Sequence, residues 1–173
     1  MIDKFGKAFL TMFGIGYFKY APGTAASIVT CIIYFLIAGR LNFTYVIIFL
    51  IVVSLYSIIL IDKIYKKKDA KEIVIDEFIG QSIPFVFISF FINPYFDGLA
   101  SKIFEAIIFT GYIEITLASL FFFRIFDILK PFPINLIDKK IKNGFGVIFD
   151  DIVAGILAGI SVCIYLYFPY LWI

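Results

Sequence analysis

Apolar residues run in long blocks along this chain, and most charges fall between the blocks. Five blocks stand out, at residues 25–39, 43–61, 78–92, 103–123 and 147–168. Uninterrupted apolar runs of this kind predict helices that sit in a bilayer. The first and third blocks hold 15 residues each. At about 1.5 Å per residue that is roughly 22 Å, short of a ~30 Å hydrocarbon core. Such helices thin the bilayer, extend into their polar flanks or dip only partly in. Pro84 predicts a kink in the third. Ahead of the first block, Ile2, Phe5, Phe9 and Phe13 fall near one helical face, which predicts an interfacial amphipathic helix over residues 2–13. That stretch has no adequate apolar core before Gly14 and no small-residue cleavage site, so it does not read as a signal peptide.

Composition agrees: 62% of the 173 residues are hydrophobic and the mean hydropathy is +1.03, more apolar surface than a water-soluble domain of this length can hide. The expectation is an all-α polytopic membrane protein, a single domain over residues 1–173 with about five transmembrane or re-entrant helices. Cys31 and Cys163 both lie inside apolar runs and read as small buried or lipid-facing residues, not as a disulfide.

Charge then sets the orientation. Lys4, Lys7 and Lys19 precede the first block. Lys63, Lys66, Lys67, Lys68 and Lys71 lie between the second and third, and Arg124, Lys130, Lys139, Lys140 and Lys142 between the fourth and fifth. The opposite side carries only Arg40 and Lys102, a 13-to-2 division of the 15 basic residues. The positive-inside rule places the N-terminus in the cytoplasm and the C-terminus outside the cytoplasmic membrane. Tyr165, Tyr167, Tyr170 and Trp172 suit an aromatic belt at the outer face.

With this topology the notable carboxylates reach one membrane face. Asp76 and Glu77 stand where a cytoplasmic loop enters the third block, Asp127 at the end of the fourth, and Asp150-Asp151 in the first turn or so of the fifth. Clustered carboxylates repel unless a cation neutralises them, and oxygen-only ligands favour Mg²⁺ or Ca²⁺. A plainer reading stands beside this. Arg124, Asp127 and Lys130 at i, i+3, i+6 also suit simple salt bridges, and either residue of the Asp150-Asp151 pair suits a helix start. Before the first block, Pro22-Gly23 followed by Thr24 as N-cap, with Ser27 nearby, makes a helix start suited to a phosphate or merely a turn. Asp138 with Lys139, Lys140 and Lys142 flanks Ile134, Ile137 and Ile141, which predicts a short surface helix over anionic headgroups. Glu105 and Glu114 lie in the fourth block, so a small ion transporter or channel using them is the alternative reading. Nothing points to nucleic acid.

The chain has no histidine, which excludes Ser-His-Asp and phosphohistidine chemistry and weakens any case for zinc. No arginine lies six residues beyond Cys31, and no Asp-x-Asp occurs. Asp97-Gly98 with Lys102 and Gly111 echoes a CDP-alcohol phosphotransferase signature, but Ile115 and Ser119 occupy its later aspartate positions. Metal-assisted chemistry on a phosphate at the cytoplasmic surface remains, and its position points to a lipid headgroup.

Three blocks in order carry a resemblance: APGTAAS (residues 21–27), IVIDEFIGQ (residues 73–81), and FRIFDILKPFPI with the later GFGVIFDDIVAG (within residues 123–155). Together they resemble the phosphatidylglycerophosphatase A family. The resemblance implies a Mg²⁺-dependent inner-membrane hydrolase that removes the terminal phosphate of phosphatidylglycerophosphate. By position it implies a site of Thr24, Asp76, Glu77, Arg124, Asp127, Lys130, Asp150 and Asp151, with Gly23 and Ser27 beside the substrate. Asp127, Asp150, Asp151, Asp76 and Glu77 would be the metal ligands. Two departures stand out: Ala26 replaces a common glycine before Ser27, and the stretch 93–120 is longer than usual.

Overall fold

The computed structural model describes residues 2–37, 42–65, 70–91 and 99–168, with residues 2, 43, 91 and 99–110 described by their backbone alone. All regular structure among them is helical: α1 (Ile2–Leu10), a 3-10 segment (Met12–Tyr17), α2 (Pro22–Leu36), α3 (Phe43–Ile64), α4 (Ile75–Phe91), α5 (Leu99–Leu129), α6 (Ile134–Lys140) and α7 (Gly144–Tyr167). Over its described residues, every apolar block therefore folds as a helix. Among the described residues, α3 over Thr44–Ile64 and α7 are long and apolar enough to cross a membrane, and α2 is a shorter apolar helix. Along α3, Ile48, Ile51, Val52, Leu55 and Ile59 are exposed on the bundle surface, an apolar face that hydrocarbon would cover. Arg40, Lys66, Lys67, Lys68, Asp97-Gly98, Tyr170 and Trp172 lie outside the described residues, as do the side chains of Lys102 and Glu105.

α7 is the hub, packing against α3, α4, α5 and α6. Its crossing with α4 is made by small residues. A methyl on Gly155 would run into the carbonyl oxygen of Gly80, and one on Gly80 would stand 2.7 Å from the carbonyl oxygen of Asp151. The two backbones thus touch directly, the close approach that small residues permit between apolar helices. The contact fixes register: Asp76 and Glu77 lie a turn before Gly80, and Asp151 lies a turn before Gly155. The start of α7 is held from two sides. Asn143 Oδ1 accepts from the Gly146 N–H at 3.0 Å, and Asp62 Oδ1 at the end of α3 accepts from the Gly144 N–H at 2.8 Å.

Several boundaries differ from the sequence expectation. The N-terminal helix stops at Leu10 rather than running to residue 13, because Thr11 turns the chain: its hydroxyl accepts from the Gly14 N–H at 3.2 Å. Phe13 then lies at φ 54° and is exposed with Phe5, while Gly6 and Leu10 are buried, Gly6 against the end of α3. Thr24 is not the N-cap of α2. Pro22 opens the helix and Ala21 caps it without a side-chain bond, because proline's fixed φ and missing N–H suit the first helical position. α4 runs on through Pro84. α5 is broken at Gly111 (φ 76°, ψ 156°), a conformation that only glycine adopts without strain. α7 begins three residues earlier than predicted. Asp150 and Asp151 therefore sit nearly two turns inside it, not in its first turn, and a helix-start role for either is overturned.

Candidate active site

The starts of α2, α4 and α7 and the ends of α3 and α5 share one end of the bundle. A cavity of about 650 Å³ opens there, lined among others by Pro22, Asp76, Glu77, Asp127, Lys130 and Asp151. The three helix ends that the sequence assigned to one face therefore do converge.

The carboxylates divide into two groups. Asp76, Glu77 and Asp151 each offer an oxygen within 4.8 Å of the other two. Asp127 adjoins them, facing both Asp151 and Glu77. Asp76 Oδ1, Glu77 Oε2 and Asp151 Oδ2 are buried and have no hydrogen-bond partner among the described residues. Unpaired buried carboxylate oxygens are costly, and a hard cation is the species that satisfies all three at once. The donor set therefore fits Mg²⁺. Gly23 makes room for this group: a methyl there would collide with Glu77 Oε1, and Arg124 Nη1 lies 3.4 Å from the same point.

Asp150 belongs to the other group. It was expected among the metal ligands, yet its Oδ2 takes Lys130 Nζ at 2.6 Å and its Oδ1 accepts from the Asp151 N–H at 3.1 Å. Lys130 thus takes this carboxylate, and the clustered oxygens are those of Asp76, Glu77 and Asp151. Lys130 ends α5 in a left-handed turn (φ 42°) and also binds Asp138 on α6 at 2.9 Å. Burial works against the charge on Lys130, but its bonds to Asp150 and Asp138 outweigh it and hold the ammonium above its ordinary pKa. Asp138 in turn is held below the usual carboxylate range, chiefly by its bond to Lys130. Lys130 is therefore a fixed cation at neutral pH, unsuited to act as a base.

Arg124 pairs with Asp127 at 2.6 Å, so the simple salt bridge at i, i+3 is real. Its Nε is buried without a hydrogen-bond partner among the described residues, and Arg124 itself does not line the cavity. Ser27 is fully buried, and its hydroxyl donates to the Gly23 carbonyl at 3.0 Å; neither it nor Thr24 lines the cavity. Glu114 accepts from the Tyr165 hydroxyl, tying α5 to α7 away from the cavity.

Sequence reasoning missed Asp62, whose bond to Gly144 joins residues 82 positions apart, and the role of Asp138 as a second partner of Lys130. It also missed Tyr20, Lys71 and Lys142 at the cavity wall. Clustered lysines on the basic side were the available signal for the last two.

Comparison with known proteins agrees with this geometry. The phosphatidylglycerophosphatase A family model matches residues 8–166. A phosphatidylglycerophosphatase A of Haemophilus influenzae is 35% identical over 153 residues, covering 87% of this chain and 82% of its own. A Bacteroides thetaiotaomicron protein provisionally named a phosphatidylinositol-3-phosphatase is 27% identical over 160 residues, 89% of each chain. The Escherichia coli phosphatidylglycerophosphatase A is 47% identical over 36 residues, 21% of each. No solved structure matches. With the family model spanning nearly all of the chain, and the Haemophilus relative covered over most of its length, the chain belongs to the phosphatidylglycerophosphatase A family.

Proposed function

We propose that this chain hydrolyses the terminal phosphomonoester of phosphatidylglycerophosphate, giving phosphatidylglycerol and inorganic phosphate at the cytoplasmic membrane face. The observation that carries the reading is one cavity holding three unpaired buried carboxylate oxygens together with the Lys130 ammonium. Asp76, Glu77 and Asp151 would hold Mg²⁺, with Asp127 beside them. When bound, the ion supplies charge neutralisation for the phosphate and a more acidic water. Arg124 and Lys130 hold the phosphate oxygens and balance charge as the P–O bond breaks. Asp127, fixed by Arg124, orients the attacking water and takes its proton. Asp150 and Asp138 aim Lys130.

The remaining apolar helices join α3 and α7 in the bilayer, giving about five spanning or re-entrant segments with the N-terminus cytoplasmic and the C-terminus outside. α1 lies in the interface, where exposed Phe5, Phe13 and Lys4 meet the headgroups. Purified protein is expected to release phosphate from phosphatidylglycerophosphate with Mg²⁺ and to stop with EDTA. No release under those conditions would overturn the proposal.

A further inference from the structure

We propose that the groove between α2 and α5 seats one acyl chain of the lipid whose headgroup occupies the acidic cavity, an inference that rests on the lipid-phosphatase reading above. The groove encloses about 360 Å³ between Ile28, Ile32 and Phe35 on α2 and Ile113, Leu117 and Leu120 on α5. Its two polar side chains are already engaged. The Thr116 hydroxyl donates to the Tyr112 carbonyl at 2.6 Å, and the Cys31 thiol points to the Thr116 carbonyl at 4.0 Å. With no free donor or acceptor, the groove suits hydrocarbon. At about 30 Å³ for a water-sized unit, it holds on the order of a dozen methylenes, one chain rather than two.

Position selects the occupant. On α2 the groove starts at Ile28, six residues beyond Pro22, which lines the cavity. On α5 it starts at Leu120, seven residues before Asp127, which lines the cavity too. At about 1.5 Å per residue both offsets are roughly 9–11 Å, so the two walls reach the groove at the same depth. A glycerol and a phosphodiester separate the terminal phosphate of the substrate from its acyl esters, and they bridge a gap of this size.

The test uses the whole protein in mixed micelles. For the unaltered chain, KM as a mole fraction should fall as the acyl chains lengthen to about twelve carbons and then level, about as many methylenes as the groove holds. Leu117→Trp and, independently, Ile32→Trp fill the groove. Each should raise KM for the long-chain substrate about tenfold while changing kcat less than threefold. Their preference for the long-chain over the deacylated substrate should fall by the same tenfold. Leu55→Trp on the outer face of α3 should leave the long-chain KM unchanged. A KM independent of chain length would overturn the inference, as would equal KM changes from Leu55→Trp and Leu117→Trp. Failure of the unaltered protein to hydrolyse either substrate would instead reject the phosphatase reading itself.

Discussion

The backbone contact between α4 and α7 makes a sharp prediction for Gly80→Ala. The added methyl would stand 2.7 Å from the Asp151 carbonyl oxygen and 2.6 Å from Phe123 Cε2. The second figure is roughly 0.9 Å inside an optimal carbon contact of about 3.5 Å. A backbone oxygen cannot swing aside, and Phe123 is fully buried, so the helices must part by something on the order of 0.5–1 Å. The displacement falls on the carboxylate cluster: Asp76 and Glu77 sit one turn before Gly80, and Asp151 carries the obstructing carbonyl. Misplacement by about 1 Å costs on the order of 10² in rate. Overpacking alone costs about 1–3 kcal/mol of stability. Gly159→Ala is the matched comparison. Its methyl would stand 2.8 Å from Phe87 Cγ, a side chain that can rotate, about 12 Å along α7 from Asp151. Phosphate release against Mg²⁺ concentration, with thermal unfolding in detergent, reads both effects. Gly80→Ala is expected to lose about 100-fold in kcat/KM and to need more Mg²⁺, whereas Gly159→Ala loses stability but stays within about threefold in rate. Equal activity losses in the two variants, or unaltered Mg²⁺ dependence in Gly80→Ala, would show that the crossing does not set the site.

Asp127→Asn should abolish phosphate release while leaving the unfolding temperature within a few degrees, and a fully active variant would remove Asp127 from the site. Mg²⁺ at about 100 times its Kd should stabilise the protein by roughly 2.7 kcal/mol, a shift that Asp151→Asn should lose in a thermal melt. Lys130→Gln strands the buried Asp150 carboxylate, costing about 1–3 kcal/mol in denaturant unfolding. The folded pKa of Lys130 is raised, so this contribution is fully present below the ordinary 10.5 and fades only as pH rises through the folded value. The Asp138 pKa is lowered, so its contribution is present above the ordinary 3.8 and fades as pH falls through the folded value. The coupling between Lys130 and Asp138 in a double-mutant cycle should therefore stay flat from about pH 6 to 9, and a coupling that vanishes across that window would contradict the pairing.

How much of this was legible in the sequence depended on the range of the interaction. Apolar runs marked every helix of the bundle because burial in hydrocarbon is written residue by residue, and the alternating lysines marked which ends meet. The positions of Asp76, Glu77 and Asp127 followed from those two facts alone. What escaped was set by contacts between distant segments or by backbone shape. Asp62 meets Gly144 only because α3 and α7 pack at that end, and Gly80 meets Gly155 only because both lack a side chain at one crossing. The division of Asp150 from Asp151 lies between these cases. Two adjacent carboxylates can serve one point, as Asp76 and Glu77 do at the start of α4, so adjacency alone left the division open. Which one faced the carboxylate cluster was decided by Lys130, whose left-handed turn at the end of α5 brings its ammonium onto Asp150 and leaves Asp151 toward α4. A lysine 20 residues away thus splits Asp150-Asp151 into one anchor and one member of the carboxylate cluster, whereas Asp76-Glu77 keeps both residues in that cluster.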